Sequence, residues 1–204
     1  ITETLVMALP VTAAIPAILA DRLRAAEASC AQAVHLAQID RDKQLTPKKI
    51  ITPASVENAL RILLAVGGST NAIIHLTAIA GRLGIPIPLQ QLNKLSDETP
   101  VLIDLKPTGD HYMEDLFKAG GLGVVLRELK PLLNLECLSV TGETLNERLQ
   151  SEPAYVNREV VRSFDQPIKK MGGLVSLFGS LAPGGAILKR SAADPTLFES
   201  EGKA

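Results

Sequence analysis

The chain has 204 residues, of which 46% are hydrophobic and 21% charged, with a formal net charge of −1. This is the composition of a folded globular chain with one sizeable core, or one domain plus part of another, and it argues against disorder. The near-zero charge gives no reason to expect nucleic acid or an acidic membrane surface as a partner, and no apolar run approaches the length of a membrane span.

Residues 1–5 read as the middle of a helix, without a cap. The 16–39 segment reads as a long amphipathic helix, with Ile18, Leu23, Ala26, Cys30, Ala33 and Val34 toward one side. A charged and polar connection follows over 40–49. Thr52-Pro53 is a helix start, with Thr as N-cap and Pro at the first helical position, and this helix runs to about Val66. After a short Gly-rich stretch the next helix runs from Ala72 and ends near Gly84. Ile85-Pro86-Ile87-Pro88 is extended, because each proline restricts the residue before it, and 89–95 is a short helix.

The 101–105 stretch is a strand candidate, followed by a turn at Lys106-Pro107-Thr108-Gly109. Residues 112–118 are helical up to Gly120-Gly121, and 122–133 are helical again. A strand over 136–140 leads to Thr141 as the cap of a helix through Leu149. Strands alternating with helices argue for an α/β architecture. The pattern changes after about Pro153. Val160-Val161, 174–177 and 186–188 are short apolar stretches separated by turns, and Pro183-Gly184-Gly185 looks like a hairpin connection. The expected organisation is α/β: a main α/β domain over 1–153, then a linker and the beginning of a β-barrel-like C-terminal domain over 154–204.

The most informative stretch is Gly67-Gly68-Ser69-Thr70-Asn71, set between two aliphatic helices. Glycines let a backbone approach a ligand closely, and the free N–H groups at a helix start favour a carboxylate or phosphate. Ser69, Thr70 and Asn71 are also good N-cap residues, so capping alone is the competing explanation. Lys106, at the carboxyl end of the 101–105 strand candidate, stands where α/β proteins often present ligand contacts; a solvated lysine in a turn is the plainer alternative. Glu114 and Asp115 fall in the first turn of a helix, where the dipole favours acids in any case. His75 sits beside apolar positions without the second ligand that a metal site needs, and His35 and His111 have no partners in sequence. Cys30 and Cys137 are isolated and read as buried free thiols of a reducing compartment; they cannot complete a cysteine-only zinc or iron–sulfur site.

Several motifs follow in a fixed order: GGSTNAIIHLTAIAGRLGI from Gly67, PVLIDLKPTG from Pro100, YMEDL with AGG from Tyr112, LSVTGETL from Leu138 and GSLAPGGA from Gly179. Together with ALP and AIPA upstream, this series resembles the dihydroxy-acid dehydratase and 6-phosphogluconate dehydratase family, which includes sugar-acid dehydratases, and the resemblance covers nearly all of the chain. The departures are Val6 and Val11, where the family has glycine, and Phe178, Ser180 and Gly184, where its turn has Arg, Asn and Asp.

The resemblance implies a hydro-lyase that dehydrates a 2,3-dihydroxy carboxylate to a 2-keto acid. It also implies an iron–sulfur cluster acting as Lewis acid, a magnesium ion (Mg2+) that orients the substrate, and an ionised serine that takes the C2 proton. The cluster cysteines lie upstream of the matched region in that family, and the serine and a metal carboxylate lie downstream. The chain is therefore expected to be an interior fragment, inactive alone and carrying no cofactor by itself, with no catalytic or metal-ligating residue assigned. The substrate-binding set is Ser69, Thr70, Asn71, Lys106 and Glu114. The expected partner is a small hydroxy acid, and the parent enzyme is expected to be a cytoplasmic homo-oligomer, a dimer or tetramer. The alternative is a non-catalytic α/β binding or interaction module derived from the same scaffold.

Overall fold

The computed structural model describes residues 1–40, 43–151, 154–194, 196, 199 and 201. Arg41 and Asp42 of the expected surface connection, the expected domain boundary at Pro153, and Gly202, Lys203 and Ala204 at the end of the chain lie outside the described residues. The fold is mixed α/β. Among the described residues it has helices α1 (Ala20–Gln38), α2 (Pro47–Ile50), α3 (Pro53–Ala65), α4 (Asn71–Gly81), α5 (Leu89–Glu98), α6 (Met113–Lys118), α7 (Gly121–Glu128) and α8 (Leu145–Ser151). A 3-10 turn at Lys130–Leu132 follows α7, and strands β1 (Val175–Gly179) and β2 (Ala182–Leu188) close the chain as an antiparallel hairpin.

Helix α3 is the shared wall of the core. Thr52 caps it: its hydroxyl accepts from the Ser55 N–H while the Ser55 hydroxyl accepts from the Thr52 N–H, with Pro53 at the first helical position. One face of α3, with Ile62 and Ala65, packs on Leu102, Ile103, Leu105, Leu116, Val125 and Leu129. Another face, with Leu60, Leu63 and Leu64, packs on Ile73 and Leu76 of α4, Leu92 and Leu95 of α5, and Leu174. Each such side chain contributes roughly 1.5–3 kcal/mol by leaving water.

Several elements differ from the pattern of the sequence. Residues 2–6 form turns, closed by the Leu5 N–H donating to the Ile1 carbonyl (2.8 Å), and no helix forms there. Helix α1 starts at Ala20, not Pro16, and none of its residues is buried; Leu23 is 75% exposed. The 101–105 segment makes single bridges, Val101 to Lys169, Ile103 to Val161 and Leu105 to His111, because its neighbours cross it at one residue each. The 136–140 segment likewise makes one bridge, Leu138 to Thr144. Thr144, not Thr141, caps α8: its hydroxyl accepts from the Glu147 N–H and the Glu147 carboxylate accepts from the Thr144 N–H (2.8 Å), which holds that carboxyl below its usual range.

The hairpin also turns earlier than expected, after Gly179. Pro183-Gly184-Gly185 lies inside β2, where the register between Leu177 and Gly179 shifts to form a bulge. A proline without an N–H and a glycine at φ +96 suit a bulge, not a regular ladder.

Candidate functional site

The site begins at the C-terminus of α3. The Gly67 N–H donates to the Leu64 carbonyl (3.3 Å) and the Gly68 N–H to the Leu63 carbonyl (3.0 Å), which closes the helix. Gly67 has φ +59, a left-handed backbone that suits glycine. Gly68 is needed for space, since a Cβ there would stand 2.5 Å from Leu63 Cδ1. The chain then enters α4 at once. Thr70 is the N-cap without a side-chain cap bond, and the Ser69 hydroxyl accepts from the Asn71 N–H (3.2 Å). Capping is thus shared out differently from the sequence expectation: Ser69 takes part, and Asn71 is the first helical residue, exposed to solvent.

This loop borders a cavity of about 600 Å³. Its wall is aliphatic, from Ile62, Leu63 and Val66 of the α3 end, Leu105, and Leu116 and Leu122 of the α6–α7 region. Its polar lining is Ser69, Thr70, Lys106 and Lys189. Three of the five expected substrate-binding residues, Ser69, Thr70 and Lys106, therefore meet at one cavity although Lys106 is far from the others in sequence. Asn71 and Glu114 do not line it. Glu114 forms an exposed ion pair with Lys118 (2.6 Å), which raises the Lys118 pKa, one turn along α6. Asp115 caps α6 by accepting from the Tyr112 N–H (2.8 Å). The ammonium of Lys106 is steered by Tyr112: its Nζ donates to the Tyr112 Oη (2.7 Å) and stands 4.2 Å from the ring centroid.

Lys189 was not among the residues singled out from the sequence. The signal that could have found it is the one that flagged Lys106, a lysine directly after a strand-like apolar stretch. A second, more polar hollow of about 730 Å³ shares Pro107 with the cavity and is lined by Asp104, Asp110 and Arg162. Its Asp104 carboxylate is engaged by the Asp110 N–H (2.8 Å) and lies 3.6 Å from His111 Nδ1. His75 and His35 are exposed on their helices.

A second loop, over residues 6–15, completes the cavity with Ala13 and Ala14. It is fastened by Glu3, which is 1% exposed. The Glu3 carboxylate accepts from the Val11 N–H (3.0 Å) and the Ala13 N–H (2.7 Å) and pairs with the buried guanidinium of Arg148. Within this loop Val6 and Val11 have φ +55 and +66. These are the two positions at which the chain departs from the family's glycines. A β-branched residue in left-handed backbone is strained.

Cys30 is exposed on α1 and Cys137 is buried, so only one of the two thiols is buried as the sequence suggested. Burial pushes the Cys137 thiol up to about 11, partly offset by a hydrogen bond with the Thr52 side chain, and Asn58 Nδ2 makes a 3.6 Å contact with its sulfur. Among the described residues no three of His, Cys, Asp or Glu are grouped to hold a metal ion. Two thiols, one exposed on α1 and one buried, do not supply the ligand set of an iron–sulfur cluster.

Hydroxyls at a helix start, two lysines and an aliphatic wall define a mixed α/β protein whose cavity can accept a small organic anion. Residues 1–148 match the family described as dihydroxy-acid/6-phosphogluconate dehydratase N-terminal, and residues 159–204 match its C-terminal counterpart; the chain belongs to this family. It is 42% identical over 206 residues to a dihydroxy-acid dehydratase of Caldicellulosiruptor bescii, covering 100% of this chain and 36% of that protein. Against an L-arabonate dehydratase of Azospirillum brasilense it is 43% identical over 205 residues, covering 99% of this chain and 34% of that protein. A dihydroxy-acid dehydratase of Caldanaerobacter subterraneus subsp. tengcongensis is 40% identical over 206 residues. The chain thus spans about a third of the length of these curated relatives.

Proposed function

We propose that this chain provides scaffold and one wall of the substrate cavity of a hydro-lyase that removes water from a 2,3-dihydroxy carboxylate, an aldonate or an alkyl dihydroxy acid, to leave a 2-keto acid. The observation that carries this reading is the convergence of Ser69, Thr70 and Lys106 on one cavity. The α4 start and the Lys106 ammonium take the carboxylate, and the aliphatic wall excludes water from the rest of the molecule. Asn71 and Glu114 neighbour the lining residues Thr70 and Met113, and they contact a ligand that projects past the rim.

In the whole protein the iron–sulfur cluster, the magnesium ion and the proton-abstracting serine belong to the remaining two-thirds of the length, and the chain alone is inactive. Residues 1–153 belong to the N-terminal α/β domain, and residues 154–204, with the β1–β2 hairpin, are the linker and the start of a β-barrel-like domain. A dimer or tetramer is supported by the uncovered apolar residues of α1, Ile18 in the lead-in at 89% exposure and Leu23. The location is cytoplasmic; among the described residues no helix is long and apolar enough to cross a membrane, which agrees with that reading.

The test is Lys106→Met in the whole protein. Lys106 is exposed and outside the core, so the melting temperature should hold. Losing a hydrogen bond to a charged group, worth roughly 1.5–3 kcal/mol, should lower kcat/KM for keto-acid formation about 10- to 100-fold. Unchanged kinetics would remove Lys106 from the substrate site. A second reading, a binding module without turnover, is favoured by the positive φ of Val6 and Val11 on a cavity loop. It predicts carboxylate binding with no keto acid formed by the whole protein.

A further inference from the structure

We infer that Lys189 is a carboxylate-anchoring residue of this cavity, delivered to it by a glycine-on-glycine contact between the two family segments. The inference rests on the cavity being the acid site. Of the described residues lining the cavity, Lys189 alone comes from beyond residue 148. Its delivery is built into the backbone. The Gly173 N–H donates to the Leu64 carbonyl (3.0 Å), at the end of α3, and the Ser191 N–H donates to the Gly173 carbonyl (3.1 Å).

The approach is so close that a Cβ on Gly173 would lie 2.7 Å from the Gly67 Cα. Residues 173 and 191 are thereby fixed against the Gly67-Gly68 loop, and residue 189, at the exit of β2, comes to the cavity. Lys169 secures the same corner by donating from Nζ to the Ser191 carbonyl (3.1 Å).

The chemistry of the cavity calls for this cation. Lys189 is half-buried and shares a largely aliphatic lining with Ser69 and Thr70, and among the described residues no acid lines the cavity. Lys106 is engaged by Tyr112, so it contributes one directed positive charge at the rim. A lysine with a half-buried stem in an aliphatic cavity is placed for an anion supplied by a ligand. Close by, Ser191 is 8% exposed, and its hydroxyl has no hydrogen-bond partner among the described residues and lies 3.4 Å from where a Gly67 Cβ would stand. The ligand class is a small carboxylate held from both segments at once.

The test uses the 204-residue chain and two probes, 2,3-dihydroxybutanoate and its neutral amide. Calorimetry should show the carboxylate binding more tightly than the amide. Lys189→Met should weaken carboxylate binding about tenfold or more and leave amide binding nearly unchanged, as expected for loss of a charge-assisted contact. Lys189→Arg should retain most of the affinity. Should the Met variant fail to fold, lysine acylation of the unaltered chain, read by mass spectrometry, carries the test. The carboxylate should protect Lys189 and Lys106 and leave exposed Lys94 and Lys130 fully reactive. Tight carboxylate binding with Lys189 unprotected, or with Lys189→Met equal to the unaltered chain, overturns the inference and leaves the cavity reading standing. No binding of the carboxylate by the unaltered chain overturns both.

Discussion

Two loops frame the cavity, and both turn through left-handed backbone. In the α3–α4 loop the residue at φ +59 is Gly67; in the 6–15 loop the residues at φ +55 and +66 are Val6 and Val11. The first loop needs no external clamp, because glycine adopts that conformation without a steric penalty. The second is held by a buried carboxylate that takes two of its N–H groups and pairs with Arg148. The difference shows that a cavity wall can be kept in shape either by residue choice or by a tether. The two should respond differently to substitution.

Breaking the tether should have the largest effect. Glu3→Ala removes the carboxylate from beside a buried guanidinium and from two backbone donors, and should cost about 3–5 kcal/mol in chemical denaturation. A loss under about 1 kcal/mol, in the range of an exposed pair, would show that the tether is idle. In the other loop, Gly68→Ala forces Leu63 to move and should cost about 1–3 kcal/mol by overpacking. An unchanged melting temperature would mean that the loop shifts freely. The smallest effect carries the opposite sign. Val11 is 41% exposed, so Val11→Gly relieves strain with little loss of burial and should stabilise by about 1 kcal/mol. Val6, fully buried, is the harder case, because glycine there also gives up core packing.

Much of this was legible in the chain. The Thr52-Pro53 start, the helices on either side of the Gly67-Gly68 loop and the family resemblance follow from local capping, periodicity and ordered motifs. Lys106 lines the same cavity as Ser69 and Thr70, although the 101–105 segment before it makes isolated bridges and not the expected strand. Other features depend on contacts that no local pattern carries. The apolar side of α1 looks like a core face, but that of α3 is buried and that of α1 is not. Periodicity tells which side of a helix seeks cover and not where the cover lies. Glu3 read as part of a helix, and its role depends on Arg148, 145 residues away. Lys189 reaches the cavity only through the Gly173 contact with the α3 end. The hairpin turn was misplaced because Pro183 and Gly185 serve a bulge, which uses the same residue types as a turn.

The central claim is that the Gly67–Thr70 loop and its cavity hold a carboxylate. The most direct measurement is the backbone amide spectrum of the chain titrated with 2,3-dihydroxybutanoate and, separately, with its neutral amide. The account predicts that the Ser69 and Thr70 signals move with the carboxylate and much less with the amide, while those of α8 stay fixed. Equal responses to both probes, or no response at residues 67–72, would contradict it.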